Sequence, residues 1–281
     1  MTVKETVQLI TGQLSNYYPA EELDSFTYLI FSHLMGFKRF ESHTKSEVEI
    51  PSHLAPQIYD IIEQLKQHKP IQYILGTTDF YGLPFYVNES VLIPRPETEE
   101  LVHWIVQDFT KQKSRIIDLG TGSGCIPVAL AKNLPDAEVY AADISEEALG
   151  VAGKNAKQNE VNIHLLKLDL LSEDWPDTGL FDVIVSNPPY VTIDQKDRMD
   201  VNVLDFEPHL ALFVPENDPL VFYKAISRFA VKHLKTGACL YFEINEALYS
   251  ETEKAVSNLG FSTELKKDIN GKYRMLKARL L

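Results

Sequence analysis

Cysteine is scarce: Cys125 and Cys239 are the only two in 281 residues. Two thiols supply neither a disulfide framework nor a recurrent metal-ligand spacing, so a cystine-stapled scaffold and a structural zinc site are both unsupported, and a cytoplasmic setting is expected. The histidines (His33, His43, His53, His68, His103, His164, His209 and His233) are scattered without zinc-like spacing, and no metal is assigned. Long hydrophobic runs are missing as well. No window approaches about eighteen uncharged apolar residues, and the amino end lacks a cationic segment followed by an apolar stretch and a small-residue cleavage site. Neither membrane spanning nor secretion is expected. Positive charge is in deficit, with 27 basic against 40 acidic residues and a formal net charge of -13. That balance opposes a phosphate backbone, so DNA or RNA is a poor default partner, although a local basic patch stays open.

What is present is enough apolar material for a real core, 44% of the chain, over a length that suits one or two domains. The first seventy or so residues have helical periodicity. Val7, Ile10 and Leu14 form one stripe, Leu23, Phe26, Ile30 and Leu34 a second, and Ile58, Ile61, Ile62 and Leu65 a third, a pattern that closes as a small bundle. Pro19, Gly36 and Pro70 are its punctuation. From about Gln72 to Ile93, short aromatic and β-branched runs separated by Gly76, Gly82 and Asn88 predict a linking β-hairpin. "RPETEELVHWIV" then starts a helix, with Pro96 or Glu97 in its first turn. From Ser114 onward, apolar strands alternate with helices in the rhythm of a parallel sheet: strands at 115–119, 137–143, 162–169, 181–186 and 238–244, helices near 125–133, 145–158, 219–235 and 248–258. Asn270-Gly271 predicts a closing hairpin whose two strands are antiparallel neighbours. The expected domains are 1–70, 71–93 as linker, and 94–281.

Chemistry enters at "IIDLGTGSGCIPVALA". Asp118, Gly120, Thr121, Gly122 and Gly124 lie between a strand and a helix, where glycines let the backbone turn tightly and approach a ligand. A plain structural turn is the alternative. The next strand ends in Asp143-Ile144, which puts a carboxylate beside the loop, able to accept both hydroxyls of a ribose. The loop has no Gly-Lys-Ser/Thr ending, so nucleoside triphosphate hydrolysis is unsupported. A carboxylate at the loop mouth repels a pyrophosphate and suits a cofactor carrying an amino group, which fits S-adenosylmethionine. Asp169-Leu170, closing the third strand, could accept the adenine amino group and cover the ring, or Asp169 could cap a helix.

"FDVIVSNPPY" places Asn187, Pro188, Pro189 and Tyr190 after the fourth strand, at the same sheet edge. A diproline can simply stop a strand. Beside a cofactor loop it has a better use: the Asn187 carbonyl and the Pro188 backbone carbonyl can accept the two N–H groups of a planar nitrogen, and Tyr190 can stack on its plane. Such a grip favours the positive charge that grows on nitrogen during methyl transfer.

The blocks "LIPRPETEELV", "DLGTGSGCIPVALA", "ADISEEAL", "VAGKNAKQN" and "FDVIVSNPPYV" resemble those of the HemK/PrmC family, methyltransferases that modify the glutamine of the Gly-Gly-Gln motif in bacterial peptide chain release factors. The resemblance runs over essentially the whole chain. It implies an α/β fold: a seven-stranded Rossmann-like class I methyltransferase sheet with a small N-terminal helical bundle and a linking β-hairpin. It implies S-adenosylmethionine as cofactor and release factors as partners, with the helical domain similar in placement to the part that docks them; a monomer is expected, though the sequence leaves the oligomeric state open. By motif, Asp118, Gly120, Gly122 and Gly124 line the methionine and sugar side, Asp143 the ribose and Asp169 the adenine, while Asn187, Pro188 and Tyr190 grip the glutamine amide. It also implies that Phe80, Phe85 and the segment 94–98 (Pro94, Arg95, Pro96, Glu97 and Thr98) help wall the cofactor and peptide channel, although the two phenylalanines read otherwise as hairpin core.

Three departures from the family pattern stand out. Glu243-Ile244-Asn245 replaces a usual Glu-Ile-Gly, "PENDPL" at 215–220 replaces a glycine-rich loop, and Phe206-Glu207-Pro208 replaces Tyr-Glu-Pro. The first two are expected to lie outside the chemical centre. The rival reading is an adenine-N6 methyltransferase acting on DNA or RNA, since an exocyclic amine offers Asn187 a similar N–H pair. Such an enzyme needs a basic groove and a way to flip the base. A non-catalytic cofactor-binding scaffold is the second rival.

Overall fold

The computed structural model describes residues 1–110, 112–172 and 174–281. It divides into two compact units: Met1–Gly76 together with Val201–Phe206, and Thr77–Asp200 together with Glu207–Leu281.

The first unit is helical. Helix Val3–Leu14 starts at a capping box in which Thr2 and Glu5 satisfy one another's backbone amides, and helix Ala20–Met35 is closed by Gly36 in the left-handed region. With helix Ala55–Lys66 they bury Ile10, Leu14, Ile30, Ile58, Ile62 and Leu65 in one core, while Val7 and Leu34 sit at its margin. The expected hairpin does not begin at Gln72. Residues Ile71–Leu75 form a short helix, preceded by Pro70 and ended by Gly76 at φ 67°, which buries Ile71 and Tyr73. The Pro/Gly pair that suits strand punctuation instead brackets one helical turn.

The second unit opens with a smaller hairpin, β1 (Thr77–Phe80) and β2 (Leu83–Tyr86). Its two-residue turn, Tyr81-Gly82, has both φ angles positive, at 50° and 74°, matching the twist of the strands. Phe80 and Phe85 meet edge to face at 5.9 Å in the core. The buried Asn155 side chain accepts from Tyr86 N at 2.7 Å and donates to Tyr86 O at 2.9 Å and Ser123 O at 2.8 Å.

The large sheet contains β3 (Arg115–Leu119), β4 (Glu138–Asp143), β5 (His164–Lys167), β6 (Phe181–Ser186), β7 (Leu234–Glu243), β8 (Phe261–Lys267) and β9 (Tyr273–Leu280). Their order is β5-β4-β3-β6-β7-β9-β8, parallel up to β7 and antiparallel for the last two pairings. Both faces of the central strands are covered, so residues of β3, β6 and the second half of β7 alternate between two apolar cores, whereas the edge strands β5 and β8 are largely exposed or half-buried. Ile116, Val183, Val185 and Tyr241 face helices Pro96–Phe109 and Cys125–Asn133; Ile117, Ile184, Leu240 and Phe242 face helix Val221–His233. The closing turn differs from a two-residue Asn-Gly turn. Asp268 organises a five-residue loop, accepting from Asn270 N and Lys272 N at 2.9 Å each, with Gly271 at φ 80°. Among the described residues no helix is long and apolar enough to cross a membrane.

Candidate active site

Parallel strands end their carboxyl edges on one side of the sheet, and a crevice opens where the strand order reverses, here between β3 and β6. A cavity of about 380 Å3 lies there. Gly120, Asp169 and Asn187, which line it, follow β3, β5 and β6, and Asp143, also in the wall, ends β4. The volume is in the range of pockets that enclose small ligands, about 300–1,000 Å3.

The glycine loop divides its labour. Gly120 and Gly122 have φ angles of 75° and 52°, line the cavity, and have open space where a Cβ would stand. Gly124 does not line it. A Cβ there would meet Ala152 Cβ at 2.8 Å, so this glycine serves the close packing of the loop on helix Glu146–Gln158. Asp143 is fastened to the loop from the next strand: Gly122 N donates to one carboxylate oxygen at 2.8 Å and Ser145 N to the other at 3.0 Å. Each oxygen keeps a further lone pair for a ligand hydroxyl. Ile144, exposed at the rim, adds an apolar wall, and Asp169 is held by a turn in which Leu171 N donates to it at 2.9 Å.

Asp118 sits beneath this loop, fully buried and not in the cavity wall, with neither carboxylate oxygen in hydrogen-bonding geometry with a protein donor. Burial pushes its pKa up to about 7; the Asp143 charge adds to the rise and the neighbouring Thr121 hydroxyl opposes it. An orphaned acid below a cradle with no Cβ in the way, beside a second carboxylate, fits a ligand that carries positive charge and a ribose. Among the described residues no cluster of three or more His, Cys, Asp or Glu side chains could hold a metal ion.

Across the cavity, Asn187 Nδ2 donates to Thr98 Oγ1 at 3.2 Å, and Thr98 Oγ1 donates to Glu243 Oε2 at 2.6 Å. Tyr190 donates to Glu243 Oε1 at 3.1 Å. Glu243 is 1% exposed, and burial holds its carboxyl above the usual carboxylate range. Asn245 donates to the Tyr190 carbonyl at 2.9 Å. The expectation that Glu243-Ile244-Asn245 lies outside the chemical centre is therefore corrected: β7 is the neighbour of β6, and its end meets the Asn-Pro-Pro-Tyr turn.

Asn187, Pro189, Arg95 and Thr98 line the cavity. Tyr190 turns to Glu243 and is not part of the wall, nor are Pro188, Pro96 or Glu97. Phe85 is hairpin core at 0% exposure, away from the wall, as the reading without the resemblance had it. Arg95 Nη2 reaches both oxygens of the buried Glu207 at 2.7 and 2.8 Å, which anchors Pro208, Leu210 and Ala211 along the rim. Sequence reasoning missed Ser123, Val91, Leu168 and Phe222 in the wall. All but Ser123 are apolar and indistinguishable by type from core; Ser123 lies inside the glycine loop, and that position was signal enough to name it.

The PrmC N-terminal domain model matches residues 5–76, and the methyltransferase small domain model residues 98–204. The release factor glutamine methyltransferase of Flavobacterium psychrophilum is 46% identical over 283 residues, 99% of this chain and 99% of that protein. The protein of that name from Bacteroides thetaiotaomicron is 42% identical over 270 residues, 96% and 97% of the two chains. Among solved structures, a methyltransferase from Pyrococcus furiosus has a TM-score of 0.52 over 82% of this chain and 98% of that one, at 18% identity, a likeness of fold alone. The sheet is that of a Rossmann-like class I methyltransferase, with a helical N-terminal region.

Proposed function

The chain belongs to the release factor glutamine methyltransferase family, and from that membership we propose that it methylates the side-chain amide nitrogen of the glutamine in the Gly-Gly-Gln motif of bacterial peptide chain release factors. S-adenosylmethionine, when bound, supplies the electrophilic methyl group. Gly120, Thr121 and Gly122 offer it backbone at close range, Asp143 two acceptors for a ribose, and Asp169 with Leu170 and Ile144 an edge and a cover for the base. Asp118 contributes negative charge from below. The expected setting is the cytoplasm, where translation terminates.

The observation that carries this reading is the Asn187 amide at the cavity wall. Its nitrogen is already committed to Thr98, and no protein donor among the described residues engages its Oδ1. That oxygen can accept one N–H of a carboxamide; the Pro188 carbonyl expected to take the other belongs to a buried residue outside the cavity wall. The Asn187 carbonyl thereby helps hold the substrate nitrogen in line, and the partial positive charge it gains is met by that fixed dipole. No strong base is required, because the proton leaves a nitrogen that has become cationic. Tyr190 acts from behind, bracing the turn through Glu243 in place of the stacking role expected for it.

Incubation with methyl-labelled S-adenosylmethionine and a purified release factor, followed by mass spectrometry, is expected to locate the label on the Gly-Gly-Gln glutamine. Label that persists after that glutamine is replaced would overturn the substrate assignment. Asn187→Ala is expected to reduce kcat by about 100-fold or more while the Kd for the methyl donor changes by less than about threefold. A full-rate variant would remove Asn187 from the mechanism.

A further inference from the structure

We propose that Glu243 is a positioning residue for the methyl acceptor: by accepting the hydrogen bond of the Thr98 hydroxyl it dictates which end of the Asn187 side-chain amide faces Thr98, and so turns the Asn187 carbonyl toward the substrate. The inference rests on the function proposed above.

The two ends of an asparagine amide are alike in size, and only hydrogen bonding tells them apart. Thr98 has a single hydroxyl proton to give. Its Oγ1 stands 2.6 Å from Glu243 Oε2 and 3.2 Å from Asn187 Nδ2. An ionised carboxylate can only accept, so the proton points to Glu243 and the hydroxyl presents a lone pair to Asn187. Only the NH2 end satisfies that lone pair. The carbonyl end is left for a substrate N–H. Tyr190 donates to the other carboxylate oxygen at 3.1 Å, so each oxygen of Glu243 is held by one hydroxyl. The backbone around it is tied down as well, with Tyr223 donating to the Glu243 carbonyl at 3.3 Å and Asn245 to the Tyr190 carbonyl.

Protonation reverses the chain. A neutral Glu243 donates to Thr98 Oγ1, the threonine proton turns to Asn187, and the amide end that matches it is the carbonyl. The NH2 then faces the substrate, donor against donor. The groups acting on Glu243 are Thr98 and Tyr190 through hydrogen bonds, Arg274 favouring its charge, and Glu97 opposing it, with Tyr223 and the Cys125 thiol also within its field. Burial outweighs the favourable contributions, so the switch lies above the ordinary carboxylate range and activity falls as pH drops through it.

Three variants test this with full-length protein: Glu243→Gln, Thr98→Val and Thr98→Ser. Steady-state methylation of the release factor is measured across pH, alongside donor binding by calorimetry and hydrogen exchange of the Asn187 side-chain amide by NMR, assigned with Asn187→Ala. Glu243→Gln and Thr98→Val are expected to lower kcat by about 10- to 100-fold with donor Kd within about twofold, and to speed exchange of the Asn187 amide. Thr98→Ser is expected to restore both to within about threefold, and Glu243→Gln to lose the acid limb of the pH profile. Wild-type kcat and an unchanged acid limb in Glu243→Gln would overturn the proposal, as would parallel loss of donor binding. If the wild-type chain methylates no release factor, the functional reading fails, while protection of the Asn187 amide and its loss in Thr98→Val still decide the orientation.

Discussion

Replacing Asp118 with asparagine should make the ligand-free protein more stable, although it removes a residue of the cofactor site. The carboxyl is fully buried, with no protein hydrogen bond to either oxygen. Burial raises its pKa from an ordinary 3.8 to about 7. That difference penalises the charged form in the folded state by about 4 kcal/mol. The sign follows from linkage. The folded protein holds this proton more tightly than the unfolded chain, so folding suffers no penalty below about pH 4. The penalty grows as pH rises from about 4 to 7 and is constant above. The replacement amide carries no charge at any pH, but its NH2 group is left unpaired, a loss of about 1–3 kcal/mol. The net expectation for Asp118→Asn is a gain of about 1–3 kcal/mol at pH 8, shrinking to zero or below near pH 4. Urea unfolding followed by tryptophan fluorescence is the assay, because Trp104 and Trp175 are the only tryptophans and both lie in the sheet-containing unit. The same variant should bind the methyl donor about tenfold more weakly at pH 8, since a cationic ligand loses a negative charge beneath it. An Asp118→Asn protein no more stable than wild type at pH 8, or one whose stability difference does not vary with pH, would refute the claim that this acid is stored at a cost for its ligand.

The two kinds of glycine in the loop should separate in their effects. Gly124→Ala, which drives a methyl into Ala152 at a positive φ, is expected to destabilise the protein by about 2–4 kcal/mol in the same urea assay. Gly120→Ala has open space and should lose only about 1 kcal/mol to backbone strain, yet weaken donor binding in calorimetry because its methyl enters the cavity. Arg95→Ala strands the buried Glu207 carboxylate and should destabilise by about 3 kcal/mol at pH 8. The loss should shrink as pH falls, because Glu207, already held above the usual carboxylate range by burial, takes up a proton more readily than an exposed carboxylate. Glu207→Gln added to Arg95→Ala is expected to recover most of it.

Strand and helix alternation from Arg115 to Ser186 was legible because the β-branched runs of β3 and β6, buried on both faces, leave a strong signal, and because glycine, Ser145 and proline mark the boundaries. That Asp143 and Asp169 meet at one sheet edge followed from the order of elements alone. Two things did not. The Ile71–Leu75 helix is one turn long, below any periodicity, and its flanking Pro and Gly suit a strand equally well. The link from Glu243 to Thr98 spans 145 positions and exists only because β7 lies beside β6, with the start of helix Pro96–Phe109 near its end. Spacing along a chain carries no trace of that. The same blindness hid the inward turn of Tyr190, whose residue type is as good at stacking on a ligand as at bracing a loop.

Asn155 ties Tyr86 in the hairpin to Ser123 in the glycine loop through one side chain with no exposed surface. Its amide and carbonyl have no water to fall back on, so release of either segment strands the groups holding the other. Fluctuations of the hairpin and the donor cradle should therefore occur as one opening event, and the amide protons of Tyr86 and its loop neighbours should exchange with a common free energy. Occupying the cradle would then quieten the hairpin, whose strands lie outside the cavity wall.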